Sequence, residues 1–288
     1  MNVIVCVRRV PDPDAAVRLT RDGQRDRDGV AMLLDPVDAA ALEAAVRLVE
    51  AHGGESTVLT AGPGDEGEEE VLRTALAHGA TRAVMVEAGA VAWAAQAAAS
   101  LAHAIELAPE APTLVLCGSR SSDFHGGSTA AALAARLRFP VVQNVVAIRL
   151  VADDDLIVER KRDGGYREVV RVRLPAVLAT EQSIARPRFP TTLARLHARR
   201  ATIARVVAPP APPGEGAATH LIGYRSPAPQ LSGIVWPDRA LDARERLRFL
   251  VQGGAARANT SRLVTGDPRT VASALVDYIR ERGYVTSQ

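Results

Sequence analysis

Short apolar runs alternate with longer segments of helical periodicity through the first half of the chain. Four runs have the length and the β-branched composition of buried strands: Asn2–Val7, Ser56–Ala61, Ala83–Glu87 and Thr113–Gly118. Strands that alternate with helices pair in parallel, and the helices then cover both faces of the sheet. The pattern therefore predicts an α/β fold with a doubly wound, mostly parallel sheet.

Three helices are predicted between these strands. The first has apolar residues at the i, i+3, i+4 and i+7 positions, namely Leu42, Ala45, Val46 and Val49. It ends before Gly53, the second runs from an acidic first turn at 68–70 to Gly79, and the third is the Ala-rich segment 91–107. Their lengths are those of crossover helices between parallel strands.

Two hairpins are predicted to leave the main sheet. Val17–Arg27 carries an Asp-Gly turn between strand-like flanks. Leu156–Val158 and Glu168–Val172 flank an Asp-Gly-Gly turn at 163–165, where glycine supplies the positive φ of a tight hairpin. The apolar run Ala176–Thr180 is a further strand of the main sheet.

The last third of the chain has a different character. Residues 208–216 read APPAPPGEG, which predicts an extended or mobile linker. Beyond it we expect two helices, Leu241–Val251 and Asp267–Arg282. The sequence thus predicts a domain over residues 1–207 and a C-terminal arm over residues 208–288. One surface on which this arm could pack is a partner chain.

Composition excludes several classes of function. Of 288 residues, 35 are Lys or Arg and 33 are Asp or Glu, so bulk charge does not indicate a nucleic-acid binder. Aromatic residues make up only 3%, which argues against a base-stacking surface. No apolar stretch predicts a membrane span, and the first residues do not form a signal peptide, so we expect a cytoplasmic protein. Cys6 and Cys117 lie in strand-like runs and are predicted to be buried free thiols.

Only one segment indicates a ligand site. The sequence CGSRSSDFHGGST at 117–129 places a loop rich in Gly, Ser and Asp between a strand and a helix that opens near Ser128. In an open parallel sheet, ligands bind at the carboxyl ends of strands, and a helix N-terminus favours a phosphate. An ordinary capped helix explains Ser128 and Thr129 equally well.

Several stretches resemble one known family. Residues 158–180, VERKRDGGYREVVRVRLPAVLAT, are similar to the signature of electron transfer flavoprotein β subunits. VIVCVRRVPDPD at 3–14, LLDPVDAAALEAAVRL at 33–48 and the segment 61–86 are similar to other conserved stretches of that family. The resemblance covers residues 1–200 and the last helix, whereas residues 211–260 look like an insertion.

The resemblance implies an adenine-nucleotide-binding fold that holds a structural AMP. The positions that match the family's AMP contacts are Cys6, Asp35, Pro36, Val37, Asp38, Ala61, Gly118, Ser119, Asp123, His125, Gly126, Gly127, Ser128 and Thr129. Asp123 and Thr129 match the family motif directly. Asp35 stands where the family usually has Asn, and its charge would repel a phosphate unless it faced the adenine or the ribose.

The resemblance also implies partners. A redox-active FAD would be shared with an α subunit, this chain would be an electron carrier subunit and not an enzyme by itself, and no catalytic residue is expected in it. Electrons would come from a dehydrogenase and leave to a quinone oxidoreductase or similar acceptor. The segment 187–200 matches the family's recognition loop, in which Leu193 or Leu196 would dock while Arg188, Arg195, Arg199 and Arg200 steer an acidic partner. The alternative is a basic amphipathic helix packed on this subunit.

Three other functions are weighed against this one. An electron-bifurcating relative would hold a second FAD in place of AMP, but the hydroxyl of Thr129 favours AMP or an empty site because that branch usually has an apolar residue there. A stand-alone module of the universal stress protein type would not need the C-terminal arm. An adenylating ligase would need a pyrophosphate loop, which FHGGST at 124–129 approximates poorly.

Overall fold

The computed structural model describes residues 1–15, 18–20, 25–26, 29–89, 91, 93–152, 154–209, 223, 237–238, 240–251 and 264–281. The chain divides into two compact units, Met1–Ser226 and Pro227–Gln288. The first unit contains all the described strands and five helices, and the second contains two helices.

The described strands are, in chain order, β1 (Asn2–Cys6), β2 (Arg9–Pro11), β3 (Arg18–Leu19), β4 (Arg25–Asp26), β5 (Met32–Leu34), β6 (Glu55–Gly62), β7 (Arg82–Glu87), β8 (Leu114–Gly118), β9 (Val141–Ala152), β10 (Asp155–Lys161), β11 (Arg167–Arg173), β12 (Ala176–Thr180) and β13 (Ala204–Val207). The described helices are α1 (Pro36–His52), α2 (Glu66–Ala77), α3 (Ala94–Glu106), α4 (Thr129–Leu137), α5 (Thr192–Arg200), α6 (Ala243–Val251) and α7 (Pro268–Glu281).

Nine strands form one sheet in the order β11-β10-β9-β12-β8-β1-β6-β7-β13. The strands from β9 to β13 in this order are parallel, and β10 pairs antiparallel with β9 and with β11. From β1 the chain moves outward to β6 and β7, then returns to place β8 on the other side of β1. The sheet therefore has its topological switch point between β1 and β8, where open α/β sheets bind ligands.

The core consists of two apolar clusters, one on each face of the sheet. Alternation along β1 places Val3 and Val5 in the first cluster and Ile4 in the second. Leu42 of α1 and Leu72 of α2 complete the first cluster, while Leu101 of α3 and Leu133 of α4 complete the second. Helices cover both faces, so the doubly wound α/β fold predicted from the sequence is confirmed.

The predicted strands and helices of the sheet are all present, with small shifts at their ends. α2 begins at Glu66, two residues earlier than predicted, because the Asp65 carboxylate accepts hydrogen bonds from Gly67 N at 2.8 Å and Glu68 N at 3.1 Å. α3 begins at Ala94, three residues later than predicted.

Two strands of the main sheet were not predicted. β9 has polar residues within it, and Asn144 adopts a φ of 59°, so its alternation of apolar and polar residues is broken. β13 has only four residues, and its pairing with β7 is a tertiary contact that its own sequence does not indicate. Both strands extend the sheet beyond the predicted set.

Both predicted hairpins have paired strands. β3 pairs with β4 through Arg18 and Asp26, and the Asp22-Gly23 turn between them lies outside the described residues. β10 pairs with β11, and the turn between them has φ values of 71° at Gly164 and 84° at Gly165. The prediction that this hairpin leaves the main sheet is wrong, because β10 also pairs with β9 and the hairpin forms one edge of the nine-stranded sheet. Glycine is required at these two positions because other residues rarely adopt positive φ.

The second unit contains α6 and α7 close to the predicted positions. Asp267 precedes α7, and its carboxylate accepts a hydrogen bond from Arg269 N at 3.0 Å. The predicted linker lies outside the described residues from 210 onward, as does most of segment 211–260. Among the helices that the structure describes, none is long and apolar enough to cross a membrane.

Candidate functional site

The floor of the switch point is a buried carboxylate that joins β1 to β8. Asp38, in the first turn of α1, accepts a hydrogen bond from Arg8 N at 2.9 Å and another from Gly118 N at 3.0 Å. Burial, together with the charge of Asp35, raises the pKa of Asp38 well above its ordinary value. The ends of the two central strands are thus held by one side chain.

Asp35 faces the protein interior. Its fully buried carboxylate caps α1 by accepting a hydrogen bond from Val37 N at 3.0 Å. It also accepts hydrogen bonds from Ser122 N and from Ser122 Oγ, each 2.8 Å long. Asp35 therefore connects the start of α1 to the loop after β8, with Pro36 as the first residue of the helix. The carboxylate oxygens of Asp35 are therefore already hydrogen-bonded within the chain.

The rim of the switch point carries an ion pair. Arg8, just beyond β1, lies 2.7 Å from Asp123 Oδ2, and the Asp123 side chain is almost fully buried. The guanidinium of Arg8 is 5.8 Å from the ring centroid of Phe124, a cation–π distance. Asp123 was predicted from the sequence as a site residue, whereas Arg8 was not. The signal for Arg8 was its position at the carboxyl end of a central strand.

The loop from His125 to Thr129 leads into α4. Gly127 has a φ of 66°, and a Cβ there would lie 3.1 Å from Ser119 O, so the position requires glycine. No described atom lies within 4 Å of a Cβ built at Gly126, which leaves open space beside it. His125 also has a positive φ, 55°. The backbone of this loop is exposed at its tip and tightly packed at its base.

Ser128 is the N-cap residue of α4, but within the described residues its side chain makes no capping hydrogen bond. The first N–H groups of a helix have no partner within the helix, so those of α4 are available to another acceptor. Thr129 is half-buried as the first residue of that helix. This arrangement favours the phosphate-site interpretation over the ordinary cap.

The remaining predicted residues lie at the base of the same region. Ser119 is buried, and its N–H donates to Thr180 O at 2.8 Å, which ties the loop to β12. Ala61 is half-buried near the carboxyl end of β6, in register with Val86 of β7. The carboxyl ends of four neighbouring strands therefore contribute to one region.

Cys6 and Cys117 are buried free thiols, as predicted. They are register partners on β1 and β8. A hydrogen bond with Cys6, together with burial, raises the pKa of the Cys117 thiol well above its ordinary value. Since the thiolate is the reactive form, this shift lowers the reactivity of the Cys117 thiol. The described residues contain no group of three or more His, Cys, Asp or Glu side chains that could hold a metal ion.

A second candidate region is the surface of α5. The segment 187–200, predicted as a recognition loop, forms a helix over its last nine residues, and this helix contacts α2. Leu193 is 62% exposed and Leu196 is 47% exposed, so both leucine candidates lie on the outer side. Phe189 is 87% exposed and was missed, although its position between two prolines in an otherwise basic segment was a signal.

The arginines of this segment divide into two groups. Arg195, Arg199 and Arg200 are exposed, as steering residues must be. Arg188, which we expected to steer a partner, instead lies 2.8 Å from Glu43 and 2.6 Å from Glu50 of α1. Its charge is balanced inside the chain, so Arg188 belongs to the support of α5 and not to its outer face.

The electron transfer flavoprotein domain model matches residues 23–211. The chain is 35% identical to the caffeyl-CoA reductase-Etf complex subunit CarD of Acetobacterium woodii over 66% of this chain and 71% of that protein. It is 34% identical to protein FixA of Azorhizobium caulinodans over 70% of this chain and 74% of that protein. It is 29% identical to the electron transfer flavoprotein subunit beta of Syntrophomonas wolfei over 72% of this chain and 80% of that protein.

Proposed function

The chain belongs to the electron transfer flavoprotein β-subunit family, and from that premise we propose that it is the β subunit of a heterodimeric electron carrier. An α subunit completes the carrier and holds most of an FAD, to which this chain contributes one wall. The FAD supplies the redox chemistry when bound. This chain binds, orients and shields, and it is not an enzyme by itself. We place the carrier in the cytoplasm.

The observation that carries the proposal is the switch point between β1 and β8. It combines a floor closed by Asp38, an open space beside Gly126, and the uncapped first turn of α4. An anionic group fits above that turn because free N–H groups and the helix dipole both favour negative charge. AMP is the group that these features support best.

Asp35 is consistent with this fit. A carboxylate aimed at the phosphate would oppose binding, but the Asp35 oxygens accept hydrogen bonds from Val37 N and Ser122. The residues that would hold the phosphate are Gly127, Ser128 and Thr129, by backbone N–H groups and hydroxyls. Asp38 and Asp123 would fix the strand ends and the loop around it.

A dehydrogenase would reduce the carrier by contact with α5. Phe189, Leu193 and Leu196, together with Arg195 and Arg199, form what we call the docking surface. Exposed apolar anchors surrounded by positive charge suit a partner with an apolar pocket and an acidic rim. The downstream acceptor is a quinone oxidoreductase or a protein of similar role.

The α subunit would be contacted in part by α7. Val271, Leu275 and Tyr278 are all exposed, and their spacing places them on one side of the helix. Such an apolar stripe needs a surface to cover it. The C-terminal arm thus becomes a partner-binding element.

The test is the nucleotide content of the heterodimer. The chain is co-purified with its α subunit, and heat-released nucleotides are identified by mass. One FAD and one AMP per heterodimer are expected. Two FADs would assign the carrier to the electron-bifurcating branch, and absence of flavin would refute the electron-transfer function.

A variant locates the AMP. Ser128→Asp supplies a good N-cap to α4 but places a negative charge where the phosphate would lie. AMP should be lost while FAD and folding are retained. Thr191→Asp makes the equivalent change at the N-cap of α5 and should leave the AMP content unchanged. Equal AMP loss in both variants would contradict the site.

A further inference from the structure

The helix α5 cannot owe its order to burial alone. It has nine residues, all described, and only Ala198 among them is buried. Isolated helices shorter than about 12 residues are marginal in water, even with good helix formers. Three arginines in this helix, two of which are the i,i+4 pair Arg195 and Arg199, add repulsion between like charges. Contacts at its two ends must therefore keep it in place.

On the N-terminal side, the chain is fixed to α1 through Arg188, which precedes the first residue of α5, Thr192. Arg188 N and Nε both donate to Glu43 Oε2, at 3.2 Å and 2.8 Å. The same guanidinium donates to both carboxylate oxygens of Glu50, at 2.6 Å and 2.9 Å. The Glu43 side chain is only 4% exposed, so this bridge is partly desolvated and geometrically specific.

The second end is fixed to α2 through Arg73. Its Nη1 donates to Ala198 O and Arg199 O, each at 2.8 Å, and these carbonyls lie in the last turn of α5. Arg199 O has no donor four residues later within the helix, so the guanidinium satisfies a carbonyl that would otherwise need water. Ala198 O already accepts a hydrogen bond from Ala201 N at 3.3 Å, and Arg73 is its second donor. Glu69 holds Arg73 in turn, with Oε1 2.6 Å from Nη2.

Between these two ends the apolar side chains point away from the subunit. Phe189 directly follows Arg188 in the chain, and Leu193 and Leu196 lie on α5 between the two fixed ends. We propose that Arg188 and Arg73 are positioning residues that hold the docking surface in its binding conformation before a partner arrives. This inference rests on the proposed function, because it assigns a purpose to the order of that surface.

The reason is the cost of ordering a mobile segment on binding. A surface that is already ordered does not lose that freedom when the partner binds, and its affinity is correspondingly higher. The two arginines need not touch the partner. Their effect should appear as a change in the concentration of carrier needed for half-maximal electron transfer, with little change in the rate at saturation.

The order of α5 can be measured by limited trypsin digestion of the heterodimer. The bonds after Arg195 and Arg199 join residues of α5 and should be cut only when the helix opens. Arg188→Gln and Arg73→Gln should each speed cleavage at these bonds by roughly tenfold. Arg171→Gln removes a comparable exposed ion pair with Asp155 and should not alter them. Unchanged cleavage in Arg188→Gln and Arg73→Gln would mean that these two arginines do not keep α5 ordered.

The role in docking is tested by a double-mutant cycle with the dehydrogenase that reduces the wild-type heterodimer. Arg188→Gln should raise the KM for the carrier by roughly tenfold and leave kcat unchanged. In a Leu193→Ala/Leu196→Ala background the same change should have little further effect, because the anchors that it positions are gone. Additive effects would mean that Arg188 contacts the partner directly, which overturns the positioning role.

The two proposals can fail separately. If the Leu193→Ala/Leu196→Ala variant leaves the KM for the carrier unchanged, the proposed docking surface is wrong. The positioning role of Arg188 in docking is then overturned with it. Trypsin cleavage still decides whether the arginines order α5. Arg188→Lys, which keeps the charge but loses the fork of donors, should restore only part of the protection.

Discussion

Gly118 and Asp38 meet so closely that Gly118 N donates to Asp38 Oδ1 at 3.0 Å, while a β-carbon at 118 would lie 2.5 Å from the same oxygen. Gly118→Ala should therefore displace the buried carboxylate and destabilise the fold by about 1–3 kcal/mol, in the range of overpacked cores. Urea unfolding of the heterodimer measures the loss. Gly126→Ala, in the loop that follows β8 and in open space, should be nearly neutral. Equal losses would contradict this account of the floor.

Ser122 should stabilise the loop after β8 through Asp35. Ser122→Ala removes the hydroxyl donor but keeps the backbone donor, so the cost should be about 1 kcal/mol. Thermal unfolding is the measurement. Ser121→Ala is the matched control, because within the described residues the Ser121 hydroxyl has no hydrogen bond. A control variant as unstable as Ser122→Ala would sink the assignment.

The contribution of Asp38 to the free energy of unfolding should fall as pH rises. Burial raises its pKa above the ordinary 3.8, so the folded state holds the proton more tightly than the unfolded state. The resulting stability is complete below the unfolded pKa and is lost as pH rises through the raised value. The free energy of unfolding of wild type minus that of Asp38→Asn should be largest at acidic pH. A difference that grows with pH would show that the pKa is lowered instead.

The contribution of Glu43 to stability should change with pH in the opposite direction to that of Asp38. Burial alone would raise its pKa, but hydrogen bonds from Arg188 and Arg47 outweigh it and lower the pKa below 4.5. Its contribution to stability is complete above that unfolded value and is lost as pH falls through the lowered one. Glu43→Gln should cost about 2 kcal/mol at pH 7, as for charge-assisted hydrogen bonds, and less near pH 3.

The control for Glu43 is its neighbour in the same network. The Glu50 side chain is 56% exposed, so Glu50→Gln should cost less than about 1 kcal/mol at pH 7. Urea unfolding at several pH values compares the two variants. A larger loss at Glu50 than at Glu43 would mean that burial does not decide the strength of this network.

The docking surface should control electron transfer from the dehydrogenase. The KM for the carrier should rise in each of three variants, Phe189→Ala, Leu193→Ala and Leu196→Ala. The rise should be roughly tenfold for the side chain that the partner buries most deeply. Steady-state reduction at varied heterodimer concentration measures this. Leu107→Ala removes a leucine that is equally exposed, at 61%, at the end of α3 and should have no effect. A similar effect at Leu107 would mean that loss of any exposed leucine matters.

The sequence by itself determined most elements of the main sheet, but not β9 or β13. Period-two runs and helical stripes are local patterns, and the end signals at Gly53 and around 68–70 are local as well, so β1, β6, β7, β8 and β12 were found with their helices. The glycine-rich loop before α4 was also visible, since positive φ at Gly127 and an exposed helix start leave a mark in a few consecutive residues.

Tertiary structure alone decided the pairings that join distant segments. Asp35 reaches Ser122, Arg8 reaches Asp123, and Arg188 reaches Glu43, over 87, 115 and 145 positions of the chain. A charged residue looks the same in sequence whether it faces a partner or another part of its own chain. Only the fold fixes which opposite charge lies within about 3 Å, because an ion pair depends on distance in space and not on separation along the chain.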